Sequence, residues 1–417
     1  MLRMDVKTGR GRGTINMNAP TLPSEFKKQH LIDPEICIRC NTCEATCPVG
    51  AVTHDASNYV VDADKCNSCM DCIAPCPTGS IDNWRVVKAP YSLDEQLCWT
   101  ELPRQEDFGE AAASATEAIE GEVGALLEQA HAGSGGKPIA PASASKPVIN
   151  LFTRGKPAIA TVQGNYRITA AGSSSEVRHI VLSFGATVFP VLEGQSIGIV
   201  APGSRHDGRP HDIRLYSIAS SRDGEKRNAN NVSLTVKRAE GGVASNYLCD
   251  LKVGDKVQVT GPFGATFLMP NDPNSSILMI CTGTGSAPFR AFTERRRRAA
   301  PGAPGKLTMF FGARTPQELP YFGPLQKVPE RLLEKHLVFS RLPGKSREYV
   351  QDRLRAQATT VADLLKGNQG HIFICGLKGM EAGVEDALDG ICRDHGLDWN
   401  ALKPQMRASG RYHVETY

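Results

Sequence analysis

Nowhere in the 417 residues is there a run approaching the ~18 apolar side chains that a membrane-spanning helix needs. Aromatic residues are scarce, at 6%. Charge of one sign is not in excess: 48 Lys and Arg against 44 Asp and Glu leave +4, too little to read as a nucleic-acid footprint. No apolar secretory leader is visible, so the chain is expected in a reducing compartment, most simply the cytoplasm. A di-iron centre is also missing. Such a site needs Glu-x-x-His pairs on two facing helices, and the only pairs at that spacing are Glu128…His131, in a linker pattern, and Glu176…His179, in a strand pattern. Any oxygen-activating chemistry is therefore expected on another polypeptide.

Cysteine is abundant. Cys37-x-x-Cys40-x-x-Cys43-x-x-x-Cys47-Pro48 returns as Cys66-x-x-Cys69-x-x-Cys72-x-x-x-Cys76-Pro77, each cysteine displaced by 29 positions. Three closely spaced thiolates can reach three irons of one cubane. The fourth is thrown elsewhere because the following proline cannot continue the turn, and in two-cluster ferredoxins it ligates the other cube. The expected sets are Cys37, Cys40, Cys43, Cys76 and Cys66, Cys69, Cys72, Cys47, holding two [4Fe-4S] clusters. Structural zinc uses two well-separated pairs rather than four cysteines within eleven residues. Cys98, Cys249, Cys281 and Cys392 read as small apolar packing residues.

Composition divides the chain. Residues 1–29 read as a disordered leader and 30–90 as the cluster module, two similar halves whose short apolar segments (Ala51-Val52 and Ser80-Ile81) could pair as strands. Residues 91–150 read as a linker, with a candidate helix over 110–130 and a flexible Gly/Ser/Ala/Pro tether over 132–147. From 151 to 272 short strands broken by glycine and proline predict an antiparallel barrel. From 273 to 417 alternating strands and helices predict a doubly wound parallel sheet. The fold class is thus multidomain, α+β and α/β. The run Arg295 to Arg298 reads as a solvated helix face.

Thr282-Gly283-Thr284-Gly285 follows an apolar strand and opens a helix, where bare backbone and free N–H groups suit a pyrophosphate. With this turn, Arg214-Leu215-Tyr216-Ser217, Ser245 to Leu251, Gly261-Pro262-Phe263-Gly264, Cys375 to Glu381 and Val414-Glu415-Thr416-Tyr417 occur in order. On these motifs the stretch from about Leu151 to Tyr417 resembles the plant-type ferredoxin–NADP reductases, which implies FAD and NADPH as cofactors. By that resemblance Arg214, Leu215 and the turn Gly242, Val243, Ala244, Ser245 would hold FAD, and Thr235 and Lys237 would be cofactor-binding. Tyr216 and Tyr417 would stack on the two isoalloxazine faces, with Tyr417 as a movable gate, and Ser217 would bond near flavin N5. Thr284, Gly285 and Gly376 would meet NADP, and Cys375 and Glu415 would flank the nicotinamide. Ser340, Arg341, Arg347, Tyr349 and Gln351 would take the 2′-phosphate, whose dianion matches guanidinium donors. Arg347 stands where the family usually has lysine.

A ferredoxin module placed ahead of such a reductase resembles the reductase components of aerobic benzoyl-CoA epoxidase systems. That resemblance implies hydride passing from NADPH to FAD, single electrons to the clusters, and a separate di-iron oxygenase or epoxidase subunit as acceptor. A homodimer is a candidate assembly. A general NADPH dehydrogenase of the ferredoxin type, serving the cellular electron pool, is the alternative enzyme; a non-catalytic electron-carrying subunit is the alternative class.

Overall fold

The computed structural model describes residues 27–34, 37, 39, 41–69, 71–73, 76, 80–81, 83–104, 129–131, 133, 138–206 and 208–417. Cys40, most of the expected leader and most of the candidate helix lie outside the described residues.

In the cluster module the sequence repeat becomes a repeat of hydrogen bonds. Asp33 N–H donates to Ser80 O and Asp62 N–H to Ala51 O, each at 2.7 Å. Cys37 N–H then turns back to Asp33 O and Cys66 N–H to Asp62 O, at 3.1 and 2.9 Å. Two antiparallel pairs frame the module: β1 (Lys27–Leu31) with β4 (Asn83–Val87), and β2 (Val52–His54) with β3 (Tyr59–Val61). The expected pairing of Ala51-Val52 with Ser80-Ile81 is not what forms. Each apolar segment instead meets the lead-in to the other half's cysteine run, Ala51-Val52 against Val61-Asp62 and Ser80 against Asp33, and β1 begins inside the stretch read as leader. Ile32, Val52, Tyr59, Val61, Ile73 and Ile81 are buried around Cys43 and Cys72. Beyond β4 the short helix Leu93–Leu97, capped by Ser92 and Glu95, is pinned to β3 by Gln96, which both donates to and accepts from the Val61 backbone.

The barrel is built from β5 (Ala158–Arg167), β6 (Val177–Ser183), β7 (Ser196–Ile199), β8 (Arg214–Ser217), β9 (Asn231–Lys237) and β10 (Lys256–Phe263). All neighbours are antiparallel, in the order β8-β7-β10-β5-β6-β9. The two edges meet where Ile218 bridges Leu234 and Ala219 N–H donates to Ser233 O, which closes the sheet and removes its free edges. Ala158, Ala160 and Val162 alternate inward on β5, as a half-buried strand requires.

The last unit is a five-stranded parallel sheet of β11 (Ser276–Thr282), β12 (Leu307–Ala313), β13 (Glu334–Phe339), β14 (Gly370–Gly376) and β15 (Tyr412–Thr416), ordered β13-β12-β11-β14-β15. Strand order reverses between β11 and β14. In sheets of this kind ligands bind at that point, outside the carboxyl ends of the strands.

Two expectations fail. From 138 onward the tether is not free: Asn271 Nδ2 donates to Ser143 O at 2.8 Å, Arg222 Nη1 to Ser145 Oγ at 3.1 Å, and Lys146 Nζ to Trp84 O at 3.1 Å. A polar composition that buries little alone is here docked by its backbone and hydroxyls. The arginine run is not a solvated face either. Within the helix Ser286–Ala299, Arg296 is buried and donates to the carbonyls of Gly305 and Ser275. Arg298 bonds Asp223 and Gly224 O. Only Arg297, paired with Glu294 and half exposed, fits the expectation.

Candidate active site

Four of the predicted cluster ligands line one cavity. Cys47 comes from the first run; Cys66, Cys69 and Cys72 come from the second; His30, Ala51, Val52 and Val61 complete the wall. The fourth cysteine of one run thus turns into the loop of the other. Ala51 N–H donates to Cys47 Sγ at 3.2 Å. Burial works to raise the Cys47 pKa, but the peptide N–H groups of Ala51, Val49, Val52 and Gly50 outweigh it and leave this thiol below its ordinary value. Cys72 shows the opposite balance: burial pushes it up to about 12. A bare thiol there stays protonated, so the thiolate form needs a cation facing it, and four cysteines lining one cavity are the donor set an iron–sulfur core takes. Of the other set, Cys37, Cys43 and Cys76 pack around the same core.

A cleft of about 660 Å³ opens at the carboxyl ends of β11 and β12. Lys237, Thr282, Gly283, Thr284, Ser340, Arg341, Arg347, Tyr349 and Gln351 all line it. The predicted nucleotide residues, scattered over more than a hundred positions, are therefore brought to one wall. Gly283 has φ +54° and open space before it. A Cβ on Gly285 would overlap the carbonyl of Cys375, so only glycine lets the turn approach β14. Arg314 also lines the cleft but is held by Glu318. Nearby Arg353 is held by Glu348. Arg341 and Arg347 are exposed and carry no carboxylate partner among the described residues.

Beside the cleft, Cys375 on β14 is in register with Cys281 on β11 and Glu415 on β15. Burial first, then the Glu415 carboxylate, raises the Cys375 thiol well above its ordinary value, which suits a packing role and not a nucleophile. Tyr417 N–H donates to Gly376 O, and its hydroxyl bonds Thr284 Oγ1 across the glycine turn.

The flavin candidates sit on the barrel: exposed Arg214, then Leu215, Tyr216 and Ser217 along β8, all three half-buried. Burial raises the Tyr216 phenol, so the ring stays neutral. Gly242 caps the helix Val243–Asp250, giving Val243, Ala244 and Ser245 as its first turn. A Cβ at Gly242 would meet Ser245 Oγ, so this entry is bare backbone of the kind a pyrophosphate approaches. The Thr235 hydroxyl is engaged with Tyr321 Oη at 2.7 Å, which also bonds His179 Nδ1 at 2.8 Å, so this side chain sits in the seam between barrel and parallel sheet.

Sequence reasoning missed His131. Its Nε2 lies 2.9 Å from Glu415 Oε1, with both side chains about nine-tenths buried. The two are 284 positions apart, and no periodic signal links them.

Three family descriptions match in succession: "4Fe-4S dicluster domain" over residues 36–80, "Oxidoreductase FAD-binding domain" over 174–267 and "Oxidoreductase NAD-binding domain" over 279–386. The cyanelle ferredoxin–NADP reductase of Cyanophora paradoxa is 38% identical over 287 residues, covering 64% of this chain and 79% of that protein. The chain belongs to the ferredoxin–NADP reductase family. The chloroplastic leaf isozyme 1 of Arabidopsis thaliana is 37% identical over 288 residues, covering 65% of this chain and 80% of its own. The ferredoxin–NADP+ reductase of Plasmodium falciparum, solved with 2′P-AMP, is 26% identical with a TM-score of 0.52, over 64% of this chain and 99% of that one. Ahead of the reductase-like stretch this family member carries the fused 4Fe-4S domain over residues 36–80. It is an oxidoreductase with FAD-binding, NADP-binding and iron–sulfur modules. Among the described residues no helix is long and apolar enough to cross a membrane.

Proposed function

We propose that the chain oxidises NADPH and delivers the electrons one at a time, through two [4Fe-4S] clusters, to a separate di-iron epoxidase acting on benzoyl-CoA in the cytoplasm. The observation that carries the redox part is the pair of sites in one polypeptide: a cavity walled by Cys47, Cys66, Cys69 and Cys72, and a cleft offering free Arg341 and Arg347 beside the glycine turn. When bound, FAD supplies hydride acceptance and one-electron release, which the clusters continue.

The chain's own groups bind, orient and cover. The turn at Gly283 presents bare backbone to the pyrophosphate. Arg341 and Arg347, with Ser340, Tyr349 and Gln351, receive the 2′-phosphate; the 2′P-AMP complex of the Plasmodium relative supports that choice. Cys375 and Glu415 meet the nicotinamide from the strand ends. Tyr417, tied to Thr284, covers the place the nicotinamide must take and swings aside for it. Arg214, Tyr216, Ser217 and the turn at Gly242 hold FAD. The benzoyl-CoA acceptor rests on the order of modules, ferredoxin before reductase, and on the likeness of that arrangement to epoxidase reductases.

Anaerobic preparation with iron, sulfide and flavin analysis, followed by titration with NADPH, tests the redox reading: both chromophores bleach together. Mixing with a di-iron epoxidase and benzoyl-CoA tests the acceptor. NADPH and oxygen consumption that needs both proteins and the thioester supports it. Reduction of free ferredoxins with no response to benzoyl-CoA replaces it by a general NADPH dehydrogenase.

A further inference from the structure

The last strand of the parallel sheet is met by the linker. β15 ends the strand order and has β14 on one side. Its other side is a sheet edge, which folded proteins cover or charge. The described linker residues meet the strand region in reverse order. A Cβ on Gly410, two residues before β15, would overlap the carbonyl of Ala140. One on Gly133 would overlap the carboxylate of Glu381, which accepts from Thr416 Oγ1. His131 reaches furthest along: its Nε2 is 2.9 Å from Glu415 Oε1, with side chains 12% and 9% exposed. Glu415 is in register with Cys375. It follows His413 on the same face of the strand, and the His413 ring stacks on Phe373 at 4.3 Å. Two residues later Tyr417 bonds Thr284 across the glycine turn. A carboxylate this far out of water needs a donor, and a donor fixed on a second segment also fixes its direction.

We infer that the linker completes the nicotinamide end of the site: His131 is a positioning residue that holds the Glu415 carboxylate in the direction in which it meets the nicotinamide. The inference rests on the reading of Cys375 and Glu415 as the nicotinamide's neighbours. The reductase body does not supply this donor; it comes from 284 positions upstream, between the cluster module and the barrel. Lifting the linker from β15 releases Glu415, so the seating of the linker and the readiness of the hydride site are tied together.

The test uses the full holoprotein, NADPH and an artificial one-electron acceptor, with amide hydrogen exchange of the nucleotide-free protein as a second readout. His131→Phe keeps a flat ring and removes the donor. Misplacement set off away from the chemistry can cost up to about a hundredfold, so kcat is expected to fall roughly tenfold or more. KM for NADPH stays in place, because the residues offered to the 2′-phosphate are untouched. His131→Gln carries an amide N–H to the place of Nε2 and restores kcat. In a Glu415→Ala background His131→Phe has little further effect, since residues that act as a unit are not additive. Exchange at the Glu415 and Thr416 amides quickens in His131→Phe and not in His131→Gln. If His131→Phe spoils flavin loading, His131→Asn, whose amide is too short for the same reach, is expected to show the same loss. A kcat that stays at the wild-type value, a loss that His131→Gln does not restore, a raised KM with kcat kept, or a full additional loss in Glu415→Ala overturns the inference. Faster exchange with kcat unchanged makes the linker a structural cover and overturns it too. A wild-type flavin that NADPH does not bleach overturns the nicotinamide reading instead, and is seen before any variant is compared.

Discussion

Replacing Arg341 and Arg347 by glutamine should weaken NADPH and spare NADH. Both guanidiniums line the nucleotide cleft, both are exposed, and neither has a carboxylate partner among the described residues. Their neighbours Arg314 and Arg353 are neutralised by Glu318 and Glu348. A hydrogen bond to a charged group contributes ~1.5–3 kcal/mol. The low end applies here, because the site is open to water. At about 1.4 kcal/mol per factor of ten, each single substitution raises KM for NADPH roughly tenfold. The double variant raises it roughly a hundredfold if the two act independently. NADH has no 2′-phosphate, so its KM should stay within about twofold by the same reasoning.

The assay is steady-state reduction of an artificial one-electron acceptor with each nucleotide. High salt is the second arm: at 1 M the screening length falls to about 3 Å, so the wild-type preference for NADPH should shrink toward that of the variants. Equal losses for NADPH and NADH would mean that these arginines shape the cleft and do not read the phosphate. A double variant no worse than the poorer single one, with the other single one unchanged, would mean that only one of them touches it.

Crossed ligation predicts a pattern of paired substitutions. Cys47→Ser and Cys72→Ser should each remove one cubane's worth of iron, and together no more than that, whereas Cys47→Ser with Cys43→Ser should empty both; the reverse pattern in iron analysis assigns Cys47 to the cluster of its own run. Glu193 is held down at about 2, although its burial alone would raise it, because Arg222 and Arg295 stand against it. A carboxyl depressed in the folded state stabilises fully above its unfolded pKa near 4.5, and that contribution drains away as pH falls toward 2. At 1.36 kcal/mol per pH unit it amounts to about 3 kcal/mol. Denaturant titrations from pH 6 to 3 should therefore show a loss that Glu193→Gln no longer shows, and identical slopes for the two proteins would refute it. His131→Ala leaves the nearly buried Glu415 without its partner at 2.9 Å, which should cost about 1–3 kcal/mol of stability, read as a lower denaturation midpoint; no change would show the pair to be solvent-screened.

The parts legible in the sequence are those whose physics is local or repeated. Thiol spacing showed the cluster runs. Apolar runs between glycine and proline turns showed strands such as Val177–Ser183. The glycine turn before Ser286 announced its own geometry. Gly283 and Ser340, just past β11 and β13, converge on the cleft because strand ends of one sheet share an edge, which topology guarantees once the strands are known, whereas Lys237 comes to it from the end of β9 in the barrel. What stayed hidden depends on docking between units. Arg296 and Arg298 read as solvated because a helix pattern cannot show that loops from residues 222–225 and 273–275 press on its polar side. Nor could the pattern show that the left-handed turn at Tyr321, with φ 59°, brings a phenol onto the Thr235 hydroxyl. His131 had no signal, since only the folded sheet places β15 beside the linker.

The same docking decides how to think about the tether. A swinging ferredoxin arm would need a linker that holds nothing. Here Ser143 and Ser145 are bonded to Asn271 and Arg222, and Lys146 reaches Trp84 of the cluster module. Each bond is worth only about 1 kcal/mol net, so none alone would hold the module. They act beside an apolar contact at Val188 and Ile73 and a crevice that Cys76 shares with Arg222 and Asp223. A group of weak contacts that share one rigid seam opens together or not at all, because the ordering cost is spread over all of them. The seam also sets two of the thiols apart: Cys76 lines the crevice against the barrel, whereas Cys69 is exposed.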